Sequence, residues 1–372
     1  MKIRTLDTRN KKDLKKFIQF PFDLYKDNPY WVPQLREDTR NSLDKANHPF
    51  YQHSDADFFL AEDNNRTVGR IAAIANSRSN STNNLDTVFF YYYESINDSE
   101  VSGALFDAVF NWTREKGHTQ VYGPKGLLQG DGIGLLVDGF DYVPAVGIPY
   151  NFEYYDNLVK KVGFEKKFDY FSGYVDTSIG LSDKVRRVAE KVKKRSGFWV
   201  KKFETKEEIM EITPELRHVY NSAFGGSEGF SPITEDEIIV IAKRMLSVAD
   251  PRLIKLVYKE DKIIGFLFSY PNICRGLQKT NGRLFPFGWF HIMREFKTTR
   301  YMDSNGIGIL PEYQGLGPTA VIYTEFEKTF QEFNFEFVET VQTREDNLAS
   351  LGESSNFVMD WVKTHRIYQL NL

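Results

Sequence analysis

A short glycine-rich turn near the C-terminus has the residue types and spacing of a phosphate-binding site. It reads Gln314-Gly315-Leu316-Gly317-Pro318-Thr319. Glycines let the backbone turn tightly and aim its N–H groups outward, beside the positive end of a helix dipole. Pro318 suits the first position of a following helix, because its fixed φ helps and its missing N–H costs little. The turn therefore predicts a seat for a phosphate group.

The sequence around the turn predicts the elements that would position it. Apolar residues at 307 and 309 indicate a strand before it, and five residues recur at helical spacing after it: Ala320, Tyr323, Phe326, Phe330 and Phe333. Residues 254–258 and 263–270 are apolar runs joined by a hairpin signal, and residues 335–341 form a β-like run. The predicted order is hairpin, strand, glycine turn, helix, strand and a final helix.

This order and the turn resemble the GNAT superfamily of N-acetyltransferases, whose acyl-CoA motif is Gln/Arg-x-x-Gly-x-Gly/Ala. Gln314 and Gly317 match it, and Thr319 stands at the last place. The resemblance covers roughly residues 197–372 and implies acetyl-CoA, or another acyl-CoA, as co-substrate, with no metal. The residues implied to bind it are Ile307, Gly308, Ile309, Leu310, Gln314, Gly315, Leu316, Gly317, Thr319 and Asn347.

Acyl transfer to an amine then requires a polarised thioester carbonyl and a group that takes the amine proton. A strand amide from residues 308–310 can polarise the carbonyl, and Glu339 or Asp303 is the candidate general base. Many GNAT enzymes use a tyrosine of the last helix as general acid; here the nearest tyrosine is Tyr368. Glu228 and Phe230 lie in the loop expected to shape the acceptor site, where Glu228 could attract a cationic amine.

A weak internal repeat predicts a second copy of the same architecture. Gly69, Asn76 and Asn151 each precede a counterpart at a common offset of 196, namely Gly265, Asn272 and Asn347. We therefore predict an α/β chain with two tandem GNAT-like domains, each a mixed, largely antiparallel sheet flanked by helices. Their expected limits are residues 1–180 and 197–372, joined by a helical connector at 181–196.

The first copy is not expected to bind CoA. At the place of the glycine turn it reads Ser95-Ile96-Asn97-Asp98-Ser99-Glu100, which has no glycine pair and carries two carboxylates. These carboxylates suit a helix N-terminus but would repel a pyrophosphate. The second domain is therefore the predicted donor site.

Composition limits the partners that the chain could have. A net charge of −3 gives no general attraction to nucleic acid or to an anionic membrane, although local basic patches could exist. The six histidines and the single Cys274 show no metal-ligand spacing, and one cysteine argues for a reducing cytoplasm. We expect no nucleic-acid partner and no membrane association, and the sequence leaves a homodimer open.

The sequence thus predicts a cytoplasmic, acyl-CoA-dependent N-acyltransferase. Acetyl transfer to a primary amine of a small molecule or peptide is the first hypothesis. A transferase resembling the FemABX peptidyltransferases or the N-myristoyltransferases is one alternative. A non-catalytic protein that keeps the fold to bind a ligand is the other.

Overall fold

The computed structural model describes residues 1–225, 229–354 and 359–372. The chain folds into two compact units that exchange segments. The first unit comprises Met1–Tyr170, Cys274–Arg294 and Lys363–Leu372, and the second comprises Phe171–Ile273 and Glu295–Val362. The predicted limits at residues 180 and 197 treat each domain as one continuous stretch, whereas both units draw on separated parts of the chain.

The first half of the chain supplies most of the first unit. Its elements in chain order are β1 (Lys2–Thr5), α1 (Lys11–Leu24), α2 (Arg36–Ser42), β2 (Asp55–Asp63), β3 (Arg66–Ala75), α3 (Ser77–Asn83), β4 (Thr87–Ser95), α4 (Ser99–Glu115), β5 (Gln120–Gly123), β6 (Leu135–Asp138), α5 (Tyr154–Val162) and β7 (Glu165–Asp176).

The second half of the chain continues with α6 (Asp183–Ser196), β8 (Phe198–Lys201), α7 (Lys206–Phe224), α8 (Glu235–Val248), β9 (Lys255–Lys259), β10 (Lys262–Pro271), α9 (Cys274–Thr280), α10 (Gly288–Thr298), β11 (Tyr301–Ile309), α11 (Pro318–Glu332), β12 (Phe337–Arg344), α12 (Leu348–Ser354) and β13 (Met359–Asn371). Among the described residues, no helix combines the length and the apolar composition needed to cross a lipid bilayer.

In the first unit, strands β1 to β4 pair antiparallel in chain order. Strand β5 pairs parallel with β4, and the end of β13 adds antiparallel to β5. The apolar side of α4 packs on this sheet and buries Leu105, Phe106 and Val109 in a core that also contains Tyr368. The last residues of the chain therefore complete the core of the first unit.

In the second unit, strands β8 to β11 pair antiparallel in chain order, and β12 adds parallel to β11. Helix α11 packs against β8, β9 and β10, and α6 packs against α11. The connector helix α6 begins with Ser182 as its N-cap, whose side chain accepts the Val185 N–H. Glu327 of α11 holds α6 in place, because it accepts the Leu181 N–H and the Arg186 guanidinium.

The two units repeat one strand arrangement, which confirms the predicted fold class and the predicted repeat. Gly69 faces Ser95 across β3 and β4, and Gly265 faces Ile309 across β10 and β11. The backbone N–H of the following residue makes the same hydrogen bond in both units: Ile96 N–H donates to the Val68 carbonyl, as Leu310 N–H does to the Ile264 carbonyl. Ser95 and Ile309 are therefore equivalent positions.

Candidate functional site

Strand β11 leaves β12 near the middle of its length. The parallel register joins residues 301–304 to residues 337–340, whereas the pairing of β11 with β10 continues to Ile309. Between Ser304 and Ile307, the two residues Asn305 and Gly306 oppose one residue of β10, so β11 carries a β-bulge there. Gly306 has a φ of +139°. A bulge bends the strand that contains it, which explains the divergence. The first unit has the same device, since its register also shifts around Tyr92, whose φ is +49°.

Beyond the bulge, Ile309 turns its backbone groups away from β10. Successive residues of an antiparallel ladder direct their N–H and C=O groups to alternate sides, and the Leu310 N–H already donates to the Ile264 carbonyl at 2.9 Å. The Gln314 side-chain amide confirms this direction, because it donates to the Ile309 carbonyl at 3.0 Å. Of the three amides predicted to polarise a thioester, Ile309 N–H has the suitable direction, while Leu310 N–H belongs to the sheet.

The glycine turn leads directly into the N-terminus of α11, as predicted. Gly315 and Gly317 have φ values of +75° and +92°, which only glycine adopts readily, and Pro318 is the first helical residue. Gly317 is the N-cap, and no side chain of the described residues caps this helix end. A side chain at Gly317 would also collide with Val192 of α6, whose Cγ2 lies 2.7 Å from the position of a Cβ. The amides at the start of α11 thus have no side-chain cap, and the first turn of this helix contains no carboxylate.

The same place in the first unit is filled by the chain itself. The Asp98 carboxylate caps α4 by accepting the N–H groups of Glu100 and Val101 at 2.8 and 3.4 Å. At Ser95, the equivalent of Ile309, the N–H donates to the Tyr155 hydroxyl at 3.1 Å. The Tyr154 hydroxyl in turn donates to the Ser95 carbonyl at 2.8 Å. The strand carbonyl is thus engaged in both units, whereas the Ser95 N–H and the first amides of α4 are engaged by side chains of the first unit.

Next to the divergence of β11 and β12, the structure brings the two predicted carboxylates together. Asp303 and Glu339 are register partners on adjacent parallel strands, one position before the last pair, and both are buried. Asn272 donates its side-chain amide to Asp303 at 2.9 Å. Tyr174 lies against the pair: burial and then the charges of Glu339 and Asp303 raise its pKa. Tyr174 therefore stays protonated beside the two carboxylates.

This cluster can accept a proton. Two buried carboxylates side by side repel one another, and one proton bound between them removes that repulsion. Tyr174 and Asn272 are not among the site residues predicted from the sequence. Asn272 had one signal, since it is an anchor of the internal repeat; Tyr174 lies on β7, far from the motif in the sequence.

The other predicted site residues lie in several places. Tyr368 belongs to the first unit, where it is buried and donates to the Asp156 carboxylate at 2.5 Å. Phe230 is buried against the rings of Tyr220 and Phe224. Asn347 is exposed and caps α12 through its side chain, which accepts the Ser350 N–H at 3.1 Å.

The remaining residues of the predicted donor site form a continuous stretch. Ile307 is half-buried on β11, and Gly308 packs closely against the Phe266 ring. Leu316 is exposed at the tip of the turn, and Thr319 is half-buried in the first turn of α11. Glu228 lies outside the described residues.

Comparisons with known proteins bear on the fold of the whole chain. No protein-family model matches the sequence. It is 29% identical over 318 residues to protein YghO of Escherichia coli, covering 84% of this chain and 80% of that protein. It is also 29% identical over 289 residues to the bacterial ceramide synthase of Caulobacter vibrioides, covering 77% of this chain and 74% of that protein.

A solved structure extends this similarity to the complete architecture. A tandem GNAT protein from the clavulanic acid biosynthesis pathway superposes with a TM-score of 0.57 at 10% identity, covering all of this chain and 98% of that one. At this identity the likeness concerns the fold, and it agrees with the repeated strands, bulges and helices described above. The chain has the tandem GNAT fold.

Proposed function

We propose that this protein is an acyl-CoA-dependent N-acyltransferase whose donor site lies in the second unit. The observation that carries the proposal is the contrast between two equivalent places in the fold. In the first unit Asp98 and the hydroxyls of Tyr154 and Tyr155 engage the helix end and the strand edge. In the second unit Gly317 and Ile309 stand there instead, so backbone amides face the space that a pyrophosphate and a pantetheine arm would take.

The chemistry follows from the groups on β11 and β12. The amine nitrogen attacks the thioester carbonyl, the carbon–sulfur bond breaks, and CoA leaves as a thiolate. Ile309 N–H is directed to stabilise the oxyanion of the tetrahedral intermediate. Glu339, beside Asp303, takes the proton that the attacking amine loses. Tyr174 lies beside Glu339 and keeps its own proton, because burial and then the charges of Glu339 and Asp303 raise its pKa.

The donor and the acceptor are the finer parts of this proposal. The sequence favours acetyl-CoA and a primary amine of a small molecule or peptide. The relative from Caulobacter vibrioides is named a ceramide synthase, and a ceramide is a long-chain amine acylated on nitrogen. N-acylation of a primary amine is common to both, so we propose it as the reaction, and we include long-chain acyl-CoA among the donors to be tested. We propose the cytoplasm as its location.

The test is a calorimetric titration of the full chain with CoA, acetyl-CoA and a long-chain acyl-CoA, followed by a thiol-release assay with primary amines. We expect binding of CoA itself, because the pyrophosphate seat is common to every donor, and stronger binding of the preferred acyl group. Release of CoA thiol that depends on an added amine supports catalysis. Binding without turnover of any amine favours the non-catalytic alternative. Failure of every CoA species to bind at millimolar concentration refutes the donor site and leaves an aminoacyl-tRNA donor, as in the FemABX proteins, to be tested.

A further inference from the structure

A segment of the first unit exposes an unusual concentration of large apolar side chains. Residues 284–293, which we term the aromatic tip, contain Phe285 and Phe287 with exposed fractions of 79% and 74%. Four further large side chains in this segment are exposed by about a third to a half: Leu284, Trp289, Phe290 and Met293. Single exposed apolar residues are normal, but a contiguous group of six marks an interaction surface.

The tip stands on a firmly anchored base. Gln278 donates its side-chain amide to the carbonyls of Pro29 and Trp31 at 2.8 and 3.1 Å. Arg36 N–H donates to the Gly282 carbonyl at 2.9 Å, and a Cβ at Gly282 would lie 2.5 Å from the Phe22 ring. The chain is therefore fixed at residues 278–282, immediately before the tip.

Backbone hydrogen bonds also close the tip on itself. Trp289 N–H donates to the Leu284 carbonyl at 2.8 Å, and Phe290 N–H donates to the Phe287 carbonyl at 3.1 Å. The indole N–H of Trp289 donates to the Pro286 carbonyl at 3.0 Å. The apolar side chains are thus presented by a structured loop and the start of α10, with their backbone polar groups partly satisfied inside the segment.

The charged residues of the segment that carries the tip have one sign. The segment Cys274–Arg294 contains no aspartate or glutamate, although the whole chain has a net charge of −3. Its four basic residues, Arg275, Lys279, Arg283 and Arg294, are all exposed. The net charge of the chain therefore hides a local surface of opposite sign.

We propose that the aromatic tip inserts into the interface of an anionic lipid membrane. Trp and Phe side chains flanked by Arg and Lys are the composition of segments that lie in the membrane interface, where the rings enter the acyl boundary and the cations meet anionic headgroups. The exposed apolar area is on the order of 600 Å², below the ~800 Å² that each partner contributes to a standard protein interface. Membrane insertion thus suits the tip better than a second copy of the chain. The expectation of no membrane association rested on net charge, which does not report this local surface. The inference is independent of the proposed function.

The experiment is flotation of the full chain with vesicles of phosphatidylcholine alone or mixed with phosphatidylglycerol in equal parts. The wild type should float with the mixed vesicles, and added salt should weaken binding. The double variant F285S/F287S should bind at least tenfold more weakly, because both rings are exposed and serine offers no apolar group to insert into the membrane interface. The matched control is I179S/L348S, which removes two exposed apolar side chains of the second unit and should float like the wild type. Unchanged circular dichroism establishes that each variant is folded.

Any of the following results would overturn the inference. The first is a wild type that stays unbound with phosphatidylglycerol vesicles, or a tip variant that floats as well as the wild type. The second is a wild type that sediments as a dimer and does not bind vesicles, together with a tip variant that sediments as a monomer. That result would assign the tip to contact with a second copy of the chain. A loss of binding that is equal in the tip variant and in the control would also contradict a specific role for the tip.

Discussion

Replacing Leu316 by aspartate tests whether the glycine turn holds the pyrophosphate of the donor. Leu316 is 55% exposed between two glycines of positive φ, so its replacement by a smaller side chain leaves no buried cavity. The change places one negative charge at the seat where we propose that phosphates bind. A carboxylate near the N-terminus of α11 should also stabilise that helix slightly, so weaker binding cannot be attributed to a weakened fold.

The size of the effect follows from Coulomb's law. At roughly 5 Å from a phosphate charge, and with an effective dielectric constant between about 80 and about 20, repulsion amounts to about 1 to 3 kcal/mol. This corresponds to a dissociation constant for CoA that is roughly 5- to 150-fold higher. Leu316→Asn is the matched control, because asparagine has the shape of aspartate without its charge. This variant should bind CoA like the wild type.

The assay is calorimetric titration of both variants with CoA at low and at high ionic strength. Salt should narrow the difference in dissociation constant between the aspartate and asparagine variants, because position 316 is exposed and ions screen the charge of the aspartate. Equal dissociation constants for the two variants would refute a pyrophosphate at this turn. An equal loss in both would show that Leu316 contributes an apolar contact instead of marking a phosphate site.

Three further predictions concern individual polar side chains. Glu339→Gln should lower kcat by about a hundredfold or more with the affinity for CoA unchanged; an unaltered rate in the thiol-release assay would exclude Glu339 as the base. Asp98→Ala should cost about 1 kcal/mol of stability through loss of the α4 cap, measured by chemical denaturation, and CoA binding should stay as in the wild type; a change in CoA affinity would contradict assignment of the donor site to the second unit alone. Burial lowers the pKa of His365 from 6.5 to about 4, so the folded state binds fewer protons than the unfolded state and stability falls as the pH drops through this range. The loss should reach roughly 3 kcal/mol, and His365→Gln should lose less stability than the wild type between neutral pH and about pH 4.5; equal losses would contradict this assignment.

Local constraints made the glycine turn predictable from the sequence. Gly315 and Gly317 are required by their positive φ, and Pro318 favours a first helical position, so each residue reports its own backbone conformation. The repeat was visible for a similar reason: a Cβ at Gly69 would lie 2.7 Å from Leu105 of α4, and one at Gly265 would lie 2.7 Å from the Gly308 carbonyl of β11. Such residues carry structural information that does not depend on distant partners.

Long-range packing explains what the sequence did not reveal. Tyr174 reaches Glu339 and Asp303 only because separate strands of one unit assemble. Tyrosine is a common residue type, and the hydroxyls of Tyr154 and Tyr155 reach Ser95 only because of the position of α5. The same holds for the aromatic tip, because a run of Phe and Trp predicts burial on composition alone and its exposure follows from the tertiary fold.

The use of the last residues of the chain by the first unit sets an order for folding during synthesis. Strand β13 pairs residues 368–371 with residues 120–123, and Tyr368 fills the core beside α4. The ribosome makes residues 1–170 before residues 368–371, so β5 lacks this neighbouring strand until the chain between them has been translated. The edge of β5 must wait through the synthesis of the entire second unit, with its hydrogen-bonding groups open to other chains. Completion of the first unit therefore depends on synthesis of the second, and products truncated before residue 363 carry an unfinished core that proteases can recognise.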